Sequence, residues 1–308
     1  MSIQSIGGII PPLVTPFHED GSIDERALRA DVRYVVEQAR VHGIAVCGST
    51  GEGHTLNTEE TRRVVSAAVE EVRGRVPVIA AVIADSTLAA VERARAVADL
   101  GVAALQVTPV HYLFRPDDDS MQRHFATIAD KSGVPVIIYN VVPWSYLSAR
   151  LLARILRDEH GVIGVKQSAS DMKALADLLL LVREAGIAQR VRILSAVDAL
   201  LYSSFCLGAD GAVAAILTAV PEWCVALWDA VQRADHQTAL RIHQNLLRLW
   251  NALDAPNLPA NVRAAMRKAG REGGVPRLPM APSSAQQEKL IHEVIHQAED
   301  SLSYARQP

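Results

Sequence analysis

"VPVIIYNVVPWSYLSARLLARILRDEHGVIGVKQ", residues 134–167, decides the fold. It opens on the apolar run VPVIIYN (134–140), passes through helical spacing over 148–158, and closes on a second apolar run, VIGVK (162–166). Both runs are apolar at consecutive positions, so both faces of each strand are covered. This pattern belongs to parallel strands buried under helices rather than to a half-solvated antiparallel sheet. The second run ends on Lys166 with no acidic residue immediately beside it. A lysine is costly to bury unless it is paired or loses its charge. A strand ending this way has either reached solvent or presents an amine for chemistry.

The same unit recurs in both directions along the chain. Upstream, IIPPLV (9–14) precedes a helical stretch over 24–42, IAVC (44–47) one over 58–73, VPVIAAVI (76–83) one over 87–100, and AALQV (103–107) one over 117–131. Downstream, VIGVK precedes 170–185, VRILS (191–195) precedes 198–207, and DGAVAAI (210–216) precedes 220–233. Eight strand–helix units in about 230 residues, with no Gly-rich dinucleotide motif after the first strand, predict a closed (β/α)8 TIM barrel rather than an open sheet. Three further helical segments, 236–253, 259–270 and 284–303, predict a C-terminal helical extension. The expected division is a catalytic barrel over 1–233 and a helical region over 234–308.

Composition narrows the function. The chain has 308 residues, 49% hydrophobic and 21% charged, with net charge −3, so it supports a sizeable core and carries no basic block for nucleic acid. Its apolar stretches are broken by Gly, Pro or charge well short of the roughly 20 residues that span a membrane. The start, MSIQSIGGIIPPLVTPF, lacks a signal-peptide pattern. Cys47, Cys206 and Cys224 are widely spaced and are expected to be buried thiols, which fits a reducing cytoplasm.

In a (β/α)8 barrel the chemistry sits at the C-terminal ends of the strands. Those ends carry Gly48-Ser49-Thr50-Gly51-Glu52, Thr108-Pro109-Val110-His111-Tyr112, Tyr139-Asn140, Lys166-Gln167-Ser168, and Ser195 with Asp198. A neutral amine in a confined pocket condenses with a ketone to an imine, whose protonated form is an electron sink for breaking or forming a bond one carbon away. Such chemistry needs a proton shuttle, which Tyr139 on the adjacent strand can supply. It also needs a seat for a charged substrate end. The two hydroxyls and Gly-permitted amides of GSTGE suit a carboxylate, so a 2-oxo acid is implied.

These residues fall into a recognisable set. "PPLVTPFHEDGSID", "GSTGEGHTL", "VTPVHYLFRP", "IIYNVVP", "GVKQSAS" and "LGADGAVAA" follow one another over about residues 6–270. In order and spacing they resemble the dihydrodipicolinate synthase/N-acetylneuraminate lyase family of Schiff-base aldolases. The resemblance implies a barrel with a C-terminal helical region, a homo-oligomer built as a dimer of dimers, and no cofactor beyond the covalent imine. By the same resemblance Lys166 is the imine-forming lysine, Tyr139 the proton shuttle, and Ser49 and Thr50 the carboxylate seat, with Ser49 also in the relay. Gly51 belongs to the seat, and the carbonyl of Val213 lines the pocket. His111 or Tyr112 stands in place of the family's interface tyrosine, and the residues leave that choice open.

The departures bear on the substrate. The family's synthases carry YNVPxR, whose arginine grips a second carboxylate. Here Tyr139-Asn140-Val141-Val142-Pro143-Trp144-Ser145 is one residue longer and has none. Of the Gly-Tyr-Asp-Glu that sialic acid lyases place after strand 7, only Asp198 survives within Ala196-Val197-Asp198-Ala199. The pocket beyond the 2-oxo acid is therefore expected to be lined by Trp144, Ala196, Ala199, Ala214 and Ala215, and to take a compact or less polar partner. Dehydratases of 2-keto-3-deoxy sugar acids and cyclic-imine deaminases of the same superfamily form the alternative, and a non-catalytic 2-oxo acid binder a further one. HEVIH (292–296) fits a zinc-hydrolase pattern. It lies on a terminal helix with little chain beyond it for a third ligand, so Ile291, Val294 and Ile295 read as a packing stripe and no metal site is expected.

Overall fold

The computed structural model describes residues 6–303. Eight parallel strands curl into a barrel: β1 (Gly8–Ile9), β2 (Ile44–Val46), β3 (Val78–Val82), β4 (Ala104–Val107), β5 (Val136–Asn140), β6 (Val162–Gln167), β7 (Arg192–Ser195) and β8 (Gly211–Ala212). Each pairs with its sequence neighbour from β2 through β8, and β8 pairs with β1. The remaining seam, between β1 and β2, falls on Pro11 and Pro12, which have no N–H to donate. It is closed instead by Ala45 N–H to the Pro11 carbonyl (3.0 Å) and Leu13 N–H to the Ala45 carbonyl (2.8 Å).

The helices between strands are α1 (Glu25–Arg33), α2 (Thr58–Val72), α3 (Thr87–Val97), α4 (Asp118–Ser132), α5 (Ala149–Asp158), α6 (Met172–Glu184) and α7 (Leu201–Cys206). After β8 come the short α8 (Ile216–Ala219) and then α9 (Pro221–Gln232). The starts are set by side chains that take up free N–H groups. Asn57 and Glu60 form a reciprocal capping box on α2, and Asp117 accepts from Ser120 N–H at 2.7 Å on α4. The apolar runs divide their faces as the barrel requires. Ile10, Ala45, Ile79, Ala104, Ile137, Ile163, Leu194 and Val213, one from or just beyond each strand, fill the interior with Ile6. The opposite faces pack under the helices. Cys47 and Cys224 lie in the core, whereas Cys206 is exposed, a correction to the expectation of three buried thiols. It sits at the end of the two-turn helix α7, where the outer face is open to solvent.

The extension comprises α10 (His236–Leu253), α11 (Leu258–Lys268) and α12 (Ala285–Ser303). It is tied to the barrel by buried ion pairs. Arg263 and Glu52, both fully buried, meet at 2.7 Å, and Arg271 meets Asp31 at 2.7 Å. Arg263 also donates to the carbonyls of Thr15 (2.7 Å), Gly273 (2.9 Å) and Pro259 (3.1 Å). Arg263 survives burial because Nε, Nη1 and Nη2 each find an acceptor.

Candidate active site

One irregularity in the sheet aims the central lysine. β5 and β6 pair as Val136 with Val162, but the next pair is Ile137 with Gly164, so β6 carries one extra residue, Ile163. Side chains alternate across a strand. Regular counting from the inward Ile163 would put Val165 inside and Lys166 outside. The extra residue resets the alternation: Val165 packs outward under the helices, and Lys166 pairs beside Tyr139, in phase with the inward Ile137. Gly164 permits this, because a Cβ there would stand 2.4 Å from the Arg192 carbonyl oxygen.

Lys166 is 4% exposed, and its Nζ lies 3.7 Å from the centroid of the Tyr139 ring. The Tyr139 hydroxyl is 3.1 Å from Ser49 Oγ, which comes from the loop after β2. These three groups, with Thr50, Asp198 and Val213, line one cavity of about 430 Å³ at the C-terminal end of the strands. Ala196, Ala199, Ala214 and Ala215 line it as well. An amine, a phenol and a hydroxyl in line, inside a confined space, can form a covalent adduct and move protons to and from it.

Asp198 enters from the turn before α7, where Oδ1 accepts the Ile216 N–H at 2.7 Å. Its pKa is pushed up to about 6, mainly because burial penalises the charge; the Ile216 hydrogen bond and the nearby Lys166 oppose that. A carboxyl whose pKa rises on folding favours the folded state while protonated. Its contribution is therefore lost as pH climbs from the unfolded value, 3.8, to about 6. Asp198→Asn is expected to remove this slope, worth at most about 3 kcal/mol, from the pH dependence of urea unfolding. An unchanged slope would show that Asp198 is not its source.

Four of the residues singled out in the sequence stand elsewhere. Gly51 lies behind the Ser49–Thr50 turn rather than facing the cavity: its carbonyl accepts from Thr15 Oγ1 at 2.7 Å, and a Cβ would meet the Leu13 carbonyl oxygen at 2.7 Å. His111, Tyr112 and Trp144 lie outside the cavity wall. His111 N–H donates to Asp85 Oδ1 at 2.9 Å, and Trp144 Nε1–H donates to the His111 carbonyl at 2.9 Å, so the loops after β4 and β5 are latched together on the surface. Tyr112 and Trp144 are 69% and 68% exposed. The insertion in the YNVVPWS loop carries the indole outward onto its neighbour.

Other wall residues were not anticipated. Tyr146 lines the cavity beside Ser168, whose place at the end of β6 the sequence did indicate, and the Tyr146 hydroxyl donates to the Ser168 carbonyl at 3.3 Å. Burial, then proximity to Tyr139, raises the pKa of Tyr146. Trp250 and Asp254, from α10 and its C-cap, and Leu258 and Pro259, from α11, close the far side. The stretch LLRLWNAL reads as an amphipathic packing helix, and nothing in its spacing marks one indole as facing a site. Among the described residues no three His, Cys, Asp or Glu side chains gather as a metal site. His292 of HEVIH is hydrogen-bonded to the Ala264 carbonyl at 3.0 Å, and Glu293 pairs with Lys289.

Comparisons with known proteins agree with this architecture. A sequence profile of the dihydrodipicolinate synthetase family matches residues 5–298. The 4-hydroxy-tetrahydrodipicolinate synthase of Bradyrhizobium diazoefficiens is 34% identical over 277 residues, covering 89% of this chain and 90% of that relative. Dihydrodipicolinate synthase from Thermotoga maritima superposes with a TM-score of 0.89 at 26% identity, over 95% of this chain and 98% of the other. YagE of E. coli K12, a prophage protein of the same family solved in complex with pyruvate, gives a TM-score of 0.89 at 25% identity, over 96% and 99%. With its barrel, its extension and a match along nearly its whole length, this chain belongs to the dihydrodipicolinate synthetase family of aldolase-type lyases.

Proposed function

We propose that the chain is a Schiff-base-forming lyase acting on pyruvate or another 2-oxo acid. Lys166 Nζ attacks the keto carbon, water leaves, and a protonated imine forms. Loss of a proton from the neighbouring carbon gives an enamine that adds to an aldehyde; the reverse sequence cleaves the product. Tyr139 carries the protons and Ser49 relays them, while Ser49 and Thr50 seat the 2-oxo acid carboxylate beside the Val213 wall. The observation that carries this reading is the buried Lys166 amine stacked 3.7 Å from Tyr139, whose hydroxyl reaches Ser49 at 3.1 Å within one cavity. The pyruvate complex of the family member YagE supports the substrate class. The electron sink is the protein's own iminium, so no external cofactor is required.

Like copies of the chain are the expected partners, and the exposed Tyr112, Leu113, Phe114 and Trp144 support such association. No helix among the described residues is long and apolar enough to cross a membrane.

Borohydride reduction in the presence of pyruvate is expected to add the reduced pyruvyl group to the peptide containing Lys166. Absence of any adduct there, or an adduct on another lysine, would overturn the assignment.

A further inference from the structure

Among the described residues the cavity wall carries three charged side chains, Lys166, Asp198 and Asp254, and no arginine. Lys166 is committed to the reaction centre: as amine or as iminium it lies next to the 2-oxo acid carboxylate. The space beyond it is bounded by two carboxyl groups and by the Trp250 indole. Trp250 and Asp254 are four residues apart at the end of α10, so they present to the same side. α10 packs on the turn that carries Asp198. Asp198 is held from behind by the Ile216 N–H. Ser168 Oγ, in the same wall, is buried without a hydrogen-bond partner. A buried hydroxyl left open in a cavity wall is a place for a ligand atom.

We infer that Trp250 and Asp254, with Asp198 across from them, are specificity-determining residues that favour a cationic distal group on the electrophile and reject an anionic one. This rests on the imine reading above. An anion in the distal half meets like charge and gives up its water with no cation to receive it, which is selection by repulsion. An ammonium-class group meets carboxylates and an aromatic face, which together form a cation seat. The alanines of the wall, Ala196, Ala199, Ala214 and Ala215, leave the space for it and supply no competing polar contact. The arginine absent from the YNVVPWS loop and the carboxylate present at Asp254 act in the same direction.

The test uses saturating pyruvate and three aldehydes of similar length: 4-(trimethylammonio)butanal, pentanal and succinic semialdehyde. Pyruvate consumption is followed for each. The expected order of kcat/KM is cation, neutral, anion, with about tenfold or more between the extremes, carried mainly by KM. Asp254→Asn is expected to compress the range several-fold, and Asp254→Lys to invert the order of the two charged aldehydes. Borohydride capture of pyruvate is run on every protein. If the wild-type protein captures pyruvate but handles the anionic aldehyde as well as the cationic one, the proposal falls. It falls equally if Asp254→Asn captures pyruvate and keeps the full wild-type range. No capture by the wild-type protein overturns the imine reading and this proposal with it.

Discussion

Lys166→Ala is expected to abolish turnover, with kcat lowered by about 10⁴-fold or more, because the bond that divides the reaction into easy steps no longer forms. The stability of the variant is expected to be unchanged or higher. Lys166 is 4% exposed, and among the described residues its amine makes neither a hydrogen bond nor an ion pair; its close contact is the face of Tyr139. Removing an amine from such a place relieves a desolvation cost; it forfeits a cation–π contact, about 1 kcal/mol or less, and the attraction of the Lys166 charge for the Asp198 carboxylate. The two readouts separate chemistry from folding: steady-state rate on one side, urea midpoint on the other. A variant that keeps its midpoint and retains more than about a hundredth of the wild-type rate would remove Lys166 from the mechanism. Tyr139→Phe, which keeps the ring and deletes the hydroxyl 3.1 Å from Ser49, falls in between, with an expected loss of about 10²–10⁴.

The other large effect concerns stability. Arg263→Met is expected to cost about 3–5 kcal/mol, because it strands the fully buried Glu52 carboxylate and takes a donor from each of three backbone carbonyls. Glu52 holds a left-handed backbone conformation, φ 53°, three residues after Ser49, and its Oε2 accepts the Arg277 N–H at 3.0 Å. The loss is therefore expected to reach the carboxylate seat as a raised KM for pyruvate. The double variant Arg263→Met/Glu52→Leu is expected to recover part of the stability, since the orphaned charge has gone. Urea unfolding of the four proteins in this cycle measures the coupling. A single-variant cost below about 1 kcal/mol would show that solvent reaches Glu52 and that the pair has no structural weight.

The βα alternation was legible in the sequence because burial of both strand faces leaves an unbroken apolar signature. Once the alternation is known, each strand end has an address on the barrel rim. Ser49, Thr50, Tyr139, Lys166 and Val213 share a cavity for that reason, and Asp198 follows three residues after β7. Two classes of fact escaped. The first is conformation within loops: His111, Tyr112 and Trp144 sit at the expected strand ends, yet the Trp144 indole bonds the His111 backbone carbonyl, and Tyr112 and Trp144 turn out to solvent. The second is contribution from outside the alternation. Trp250 and Asp254 arrive from α10, whose apolar periodicity shows a packing face but not which turn overhangs the mouth. The bulge at Ile163 lies between the two. The sequence shows a glycine before Lys166, but only the pairing register reveals that the strand gains a residue and turns the lysine inward.

The buried arginines also impose an order on biosynthesis. Glu52 and Asp31 emerge from the ribosome some two hundred residues before Arg263 and Arg271, which neutralise them. Until those late cations arrive, a nascent barrel has two acids that cannot be dehydrated cheaply. Ribosome-bound chains halted before Arg263 should therefore be protease-sensitive and catalytically silent. The last quarter of the polypeptide acts as a checkpoint that joins completion of synthesis to onset of activity.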